Sequence, residues 1–278
     1  MANSEPAEIR EWVSFGRGGE SEWPVHEGYE VRGGALCPVG AVTRSYDPLA
    51  YPQIVTQIAR LNERDEAALV AFAQTWGLLG YPSVPPDNGD PLPWVGAHAR
   101  GIHMVLKLYS YLQRPNLEGL GQFLRSHKGS HWEYPTEESL NLTIGTPRNW
   151  GFKSLPWAEE APADLAYDAI AAIMNPNLRG VHYQVSRGTR GRDLRPVLSF
   201  VSLGSAAYWH LFNIVTGRRL LGRCDECGRF FVKMDRRQKF CPPPPPPPLG
   251  PKTTTGSQCG ARYRKRAERE NERKNKGG

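Results

Sequence analysis

Four of the chain's five cysteines, Cys224, Cys227, Cys241 and Cys259, fall within 36 residues of one another. The first two form a C-x-x-C pair followed at once by Gly228, which lets the backbone turn back so that its amides face the sulfurs. Thiolates are soft ligands, and four of them match a closed tetrahedral site for a structural zinc ion; a catalytic site would keep one position open for water. A redox pair is the competing reading. Such a pair usually opens a helix, however, whereas this one precedes the strand-like run "RFFVKM". "RFFVKM" and "RQKF" read as two short strands around "DRR", returning the chain to Cys241. Beyond Cys259, "GARYRKRAERENERKNK" is built of helix formers, so Cys259 stands at a helix start, where its thiol is expected to ionise more readily. Knuckle, hairpin and helix together describe a treble-clef module holding one Zn2+.

Between the last two cysteines lies "PPPPPPPLGPKTTTGSQ", with seven consecutive prolines. In polyproline II these form a stiff arm of roughly 22 Å. The ten residues that follow can span about 33 Å, so the chain can return. Closing a loop of this length costs only about 1.5 kcal/mol more than closing a short one. Structural zinc contributes roughly 10–16 kcal/mol in small finger peptides, so Cys241 is retained as a ligand. The arm reads as a tolerated low-complexity loop, with docking to a protein partner as its functional alternative.

The elements that must position this cluster can be read upstream. Residues 1–45 are rich in Gly, Glu and Ser and read as a small strand pair or a loosely structured arm. Residues 46–217 read as a helical α+β body that senses a signal or dimerises, and 218–278 as the zinc module, with the insertion at 242–258. In the body, Ile54, Ile58 and Leu61 share a helical face, then Leu69, Phe72, Ala73 and Trp76 do, with Gly77 as the stop. A third helix runs from about His98 to Gln113, ended by Pro115. A fourth is "PADLAYDAIAAIMNPN", with Asp164 as its cap and Pro176 beyond its end. Residues 126–157 read as a long, partly packed loop. The period then becomes two: "VHYQVSR" and "LRPVLSFVS" flank "GTRGRD" as a hairpin. The last body helix follows, capped by Ser202 and stopped by Gly217, with Ala207, Leu211 and Ile214 on one face.

Charge is placed unevenly. From Gly217 onward, 17 Lys and Arg oppose 6 Asp and Glu; the whole chain carries +7, so the preceding residues are net acidic by four. A basic end on an acidic body points to a polyanion, nucleic acid before a membrane surface. Arg262, Arg266 and Arg269 share a helical face that Arg273 continues; Arg264 and Lys265 lie beside it, and Arg236 and Arg237 at the hairpin tip add phosphate contacts. Duplex DNA is favoured over RNA, because Tyr263 is the only aromatic on the basic helix available for base stacking.

The segments "RRLLGRCDECGRFF" and "RQKFC", with Cys259, Gly260 and Arg262 on a basic helix, resemble the CGNR-type zinc fingers of bacterial proteins with an ABATE-type helical N-terminal domain. "FAQTWGLLG" and "LRPVLSFVSLGSAAYWHLF" are similar in layout to that domain. The resemblance implies zinc binding and a role as a DNA-binding transcriptional regulator. Two departures stand out: Ala261 replaces the signature's Asn, and the gap between the third and fourth cysteines is 17 residues in place of a few.

Other readings are an RNA-binding or ribosome-associated zinc protein, and a protein-interaction module. Catalysis is not expected: no nucleophile elbow, phosphate loop or dinucleotide fingerprint appears. His127 and His131 would pair only in a helix, which Gly129 and Pro135 oppose; His103 and His210 read as satisfied core histidines. No apolar run approaches the roughly 20 residues of a membrane span. The first residues are neither basic nor apolar, so a cytoplasmic protein is expected.

Overall fold

The computed structural model describes residues 22–81, 89–113, 117–126, 130–134, 140–144, 162–187, 194–233, 235–242 and 257–276. The fold is α+β: helices packed on one another, with small antiparallel sheets around them. The first two strands, β1 (Trp23–Arg32) and β2 (Ala35–Tyr46), form a hairpin. Of the two readings of this region, the strand pair is the one found. It is fastened to the core, not loose: Val25, Tyr29, Leu36 and Tyr46 are buried. The Trp23 indole donates to the Leu78 carbonyl (2.9 Å), and the Tyr46 hydroxyl to that of Trp76 (2.8 Å).

Helix α1 (Ile54–Ile58) buries Ile54 and Ile58 as expected but ends before Leu61, and helix α2 (Glu66–Trp76) carries its expected stripe. Asp65 caps α2 by accepting from the Ala68 N–H, and Leu69, Phe72, Ala73 and Trp76 are buried. A two-residue strand, β3 (Asp90–Pro91), adds to β2 and leads into α3 (Leu92–Gln113). This helix begins six residues before the expected His98, because Pro93 sits in its first turn, where no N–H is needed. Running through the middle of the body, α3 packs against α1, α4, α5 and α6 with a dozen buried residues.

Asp90 ties this region together, and nothing in its local sequence marks it. It is 1% exposed and accepts from the N–H groups of Leu79 (2.5 Å), Gly80 (3.1 Å) and Tyr81 (2.8 Å). The preceding Gly89 has φ +79°, and a Cβ there would lie 2.2 Å from the Leu36 carbonyl oxygen, so no other residue fits. Burial raises the Asp90 carboxyl to about 6, against the opposing pull of the three N–H groups. Asp90→Ala leaves those donors unpaired and is expected to cost about 3 kcal/mol. Because the folded value lies above the ordinary 3.8, the Asp90 contribution is full below pH 4 and declines as pH rises towards 6. Urea midpoints at pH 4 and pH 7 should show this decline in the wild type and not in Asp90→Asn.

Helix α4 (Leu117–Ser126) was not foreseen, since Gly119 and Gly121 weaken its propensity; burial of Leu120 and Leu124, one turn apart, outweighs that cost. Where one long loop was expected, β4 (Ser130–Tyr134) and β5 (Leu140–Ile144) pair antiparallel. His131 therefore lies in a strand, and His127 is outside the described residues. Helix α5 (Pro162–Leu178) departs from expectation at both ends. Asp164 lies inside its first turn, and Pro176 lies within the helix. The lost hydrogen bond falls in the last turn, where the Asn177 side chain donates to the Ile173 carbonyl (2.8 Å).

The hairpin of β6 (Val181–Arg187) and β7 (Leu194–Phe200) is as read, and so is α6 (Leu203–Val215), whose N-cap Ser202 accepts from the Ser205 N–H. Ala207, Leu211 and Ile214 are fully buried. His103 is exposed and not a core residue. No described helix is long and apolar enough to cross a membrane.

Candidate metal centre

The cysteine segment is built on a hairpin of β8 (Leu220–Arg223) and β9 (Phe230–Lys233), with Arg223 opposite Phe230. The partner of the "FFVK" strand is thus "LLGR", and the expected strand at "RQKF" is absent. The knuckle itself is the hairpin loop, so the strand before it is already in place to pair. Within the loop the Gly228 N–H donates to the Cys224 carbonyl (2.8 Å), and the Cys224 N–H to that of Arg229 (2.9 Å). Gly228 has φ +69°, the left-handed conformation such a turn requires. Asp235 then turns the chain, accepting from the Arg237 N–H (2.7 Å), and the Asp225 N–H donates to the Lys239 carbonyl (3.1 Å). These bonds bring Cys241 beside the knuckle.

Cys259 arrives on α7 (Gln258–Lys276), whose start is capped by Ser257: its hydroxyl accepts from the Gly260 N–H (3.1 Å). The four Sγ atoms of Cys224, Cys227, Cys241 and Cys259 lie within 4.8 Å of one another. Cys227 and Cys241 are 3.5 Å apart, well outside disulfide length. Four sulfurs at about 2.3 Å from one tetrahedral ion stand about 3.8 Å apart, so this set can hold one metal ion with small adjustments. The proline-bearing insertion, whose residues 243–256 lie outside the described residues, leaves the cluster intact. Cys37 is buried far along the chain in β2.

The thiols differ in readiness to ionise. Burial would raise Cys224, yet the N–H groups of Cys227, Cys241 and Glu226 outweigh it and bring it down to about 6. Burial first, and then the neighbouring Cys227 and Cys224, push Cys259 up to about 11 and Cys241 higher still. The expected lowering of Cys259 at a helix N-terminus is therefore overridden, by burial first and then by its sulfur neighbours. Four thiolates cannot share this space on their own, and a dication at their centre reverses the balance. The donor set fits a thiophilic metal.

Around the cluster, contacts fix α7. Phe240 packs on Tyr263 (5.1 Å), and the Arg266 guanidinium pairs with Glu226 of the knuckle (2.7 Å). Arg266 is thus engaged in the module, while Arg262, Arg264, Lys265 and Arg269 are exposed along α7 and Arg236 and Arg237 are exposed on the turn. The Arg273 side chain lies outside the described residues. The module also shares the body's core: Leu221 and Val232 join its cluster, and Phe230 packs against it.

Arg60, at the end of α1, is a residue the sequence did not mark. Its guanidinium donates to the Phe230 carbonyl (3.0 Å) and lies close enough to Cys241 to feel the charge of its thiolate. It stabilises negative charge on a ligand from a distance of 181 positions in the chain. Arg60→Met, which keeps the stem, is expected to weaken metal affinity about tenfold, read by competition with a chromogenic chelator.

Comparison with protein families, with curated proteins and with solved structures finds no match to this chain.

Proposed function

We propose that the bound metal is one structural zinc ion and that the chain is a DNA-binding transcriptional regulator of the CGNR type, with an ABATE-like body. The observation that carries this reading is the cysteine cluster at the first turn of α7, from which Arg262, Arg264, Lys265 and Arg269 project unpaired with any described acid. Four sulfurs leave zinc no open position, so the metal serves shape and not catalysis. The resulting cationic rod, with Arg236 and Arg237 beside it, suits a phosphate backbone, and a helix of this width suits a major groove.

The test is a mobility shift of the zinc-loaded protein on mixed duplex DNA, repeated across salt concentrations and in competition with structured RNA. Steep loss of binding with salt and preference for the duplex support the reading. Preference for RNA moves the protein to the ribosome-associated or RNA-binding class, and no shift on either nucleic acid leaves a protein-interaction module.

A further inference from the structure

A cleft of about 620 Å3 lies where the body meets the metal module. Its body side is formed by the 3-10 turn at Leu49 and by α6, and its module side by β8, β9 and the turn at Asp235. Clefts of roughly 300–1,000 Å3 take small molecules.

The lining has a definite chemistry. Arg218, Arg219, Lys233 and Arg236 oppose the single acid Asp235. None of the three arginines forms an ion pair with a described residue. The Arg218 guanidinium rests 5.7 Å over the Phe212 ring, which holds it in place without neutralising it. Planar guanidinium forks in such a group favour phosphate oxygens. Apolar wall comes from Leu49, Trp209 and Leu220.

His210 belongs to the same wall. It is 2% exposed, lines the cleft, and its Nε2 lies 3.0 Å from the Pro48 carbonyl oxygen. A carbonyl only accepts, so Nε2 carries the proton. Nδ1 is buried and has no hydrogen-bond partner. In the neutral ring Nδ1 is an acceptor, and burial, helped by the charge of Arg219, holds the ring neutral.

We infer that this cleft binds a small organic phosphomonoester, its phosphate on Arg218, Arg219 and Arg236 and its carbon skeleton on Trp209 and Leu220. The occupant touches both the body and the arm of the metal module, so it stiffens their junction. This site is separate from the exposed face of α7, shares only Arg236 with the proposed DNA surface, and its existence does not depend on DNA binding.

Calorimetry on the full-length, metal-loaded protein tests it, with adenosine 5′-monophosphate and ribose 5-phosphate as probes and adenosine as the phosphate-free control. One phosphomonoester per chain is expected, with adenosine at least tenfold weaker. Arg218→Gln/Arg219→Gln should weaken both phosphates at least tenfold with an unchanged melting temperature, while Arg262→Gln/Lys265→Gln should leave them unaffected. The inference is overturned by absence of heat with both phosphates, by adenosine binding as tightly as its phosphate, or by equal weakening in the α7 variant, which would mean general attraction to a basic surface.

Discussion

Cys241→Ser is expected to lose the metal and, with it, the helix that follows the insertion. Wild-type protein should carry one zinc per chain by elemental analysis, and the variant less than a tenth of that. Helix α7 has 19 residues and a surface dominated by charge. Helices in proteins are stabilised mainly by packing an apolar face, which this one has little of, so its order depends on what grips its first turn. That grip is Cys259 in the cluster, assisted by the Tyr263–Phe240 contact and the Arg266–Glu226 pair. Each assisting contact has one exposed partner and is worth about 1 kcal/mol, against roughly 10–16 kcal/mol for structural zinc in small finger peptides. Far-ultraviolet ellipticity should fall by an amount that matches α7 alone, and protease should cut between residues 242 and 276. The body should persist, because its core is assembled from α1 to α6. Full metal content in Cys241→Ser, or an ordered α7 without metal, would remove the basis for the module.

DNA affinity should fall about a thousandfold between 50 and 200 mM salt. Six exposed cations, Arg236, Arg237, Arg262, Arg264, Lys265 and Arg269, are available to phosphates. Each one neutralising a phosphate contributes about −0.9 to the log–log salt slope, giving roughly −5. Replacing Arg262, Arg264, Lys265 and Arg269 with alanine should reduce the slope to about −2 while leaving zinc content unchanged. Arg266→Ala is expected to act differently: its partner Glu226 loses its cation, so the variant should loosen α7 more than it flattens the slope. A salt-independent shift in the wild type would rule out a phosphate-reading surface.

The metal cluster was legible because three of its ligands carry a local sign: a glycine after the C-x-x-C pair, and a run of helix formers after Cys259. Loop-closure entropy grows only with the logarithm of length, so even a proline-rich insertion of 17 residues did not obscure the set. The stripes of α1, α2 and α6 were readable for a similar reason, since periodic apolar residues report the face that must be buried.

What the sequence by itself determined, then, was a body of amphipathic helices, a four-cysteine set and a basic terminal helix. Tertiary structure alone decided which strand pairs with "FFVK", that α4 forms despite two glycines, that Asp90 binds three amides, and that Arg60 reaches the metal module at the Phe230 carbonyl. It also decided that Arg266 faces inward to Glu226 and that a cationic cleft opens beside His210. The division has one physical cause. Periodicity and ligand spacing are written within a few neighbouring residues, whereas a charge meeting its partner, or a donor its acceptor, depends on segments that come together only when the core closes.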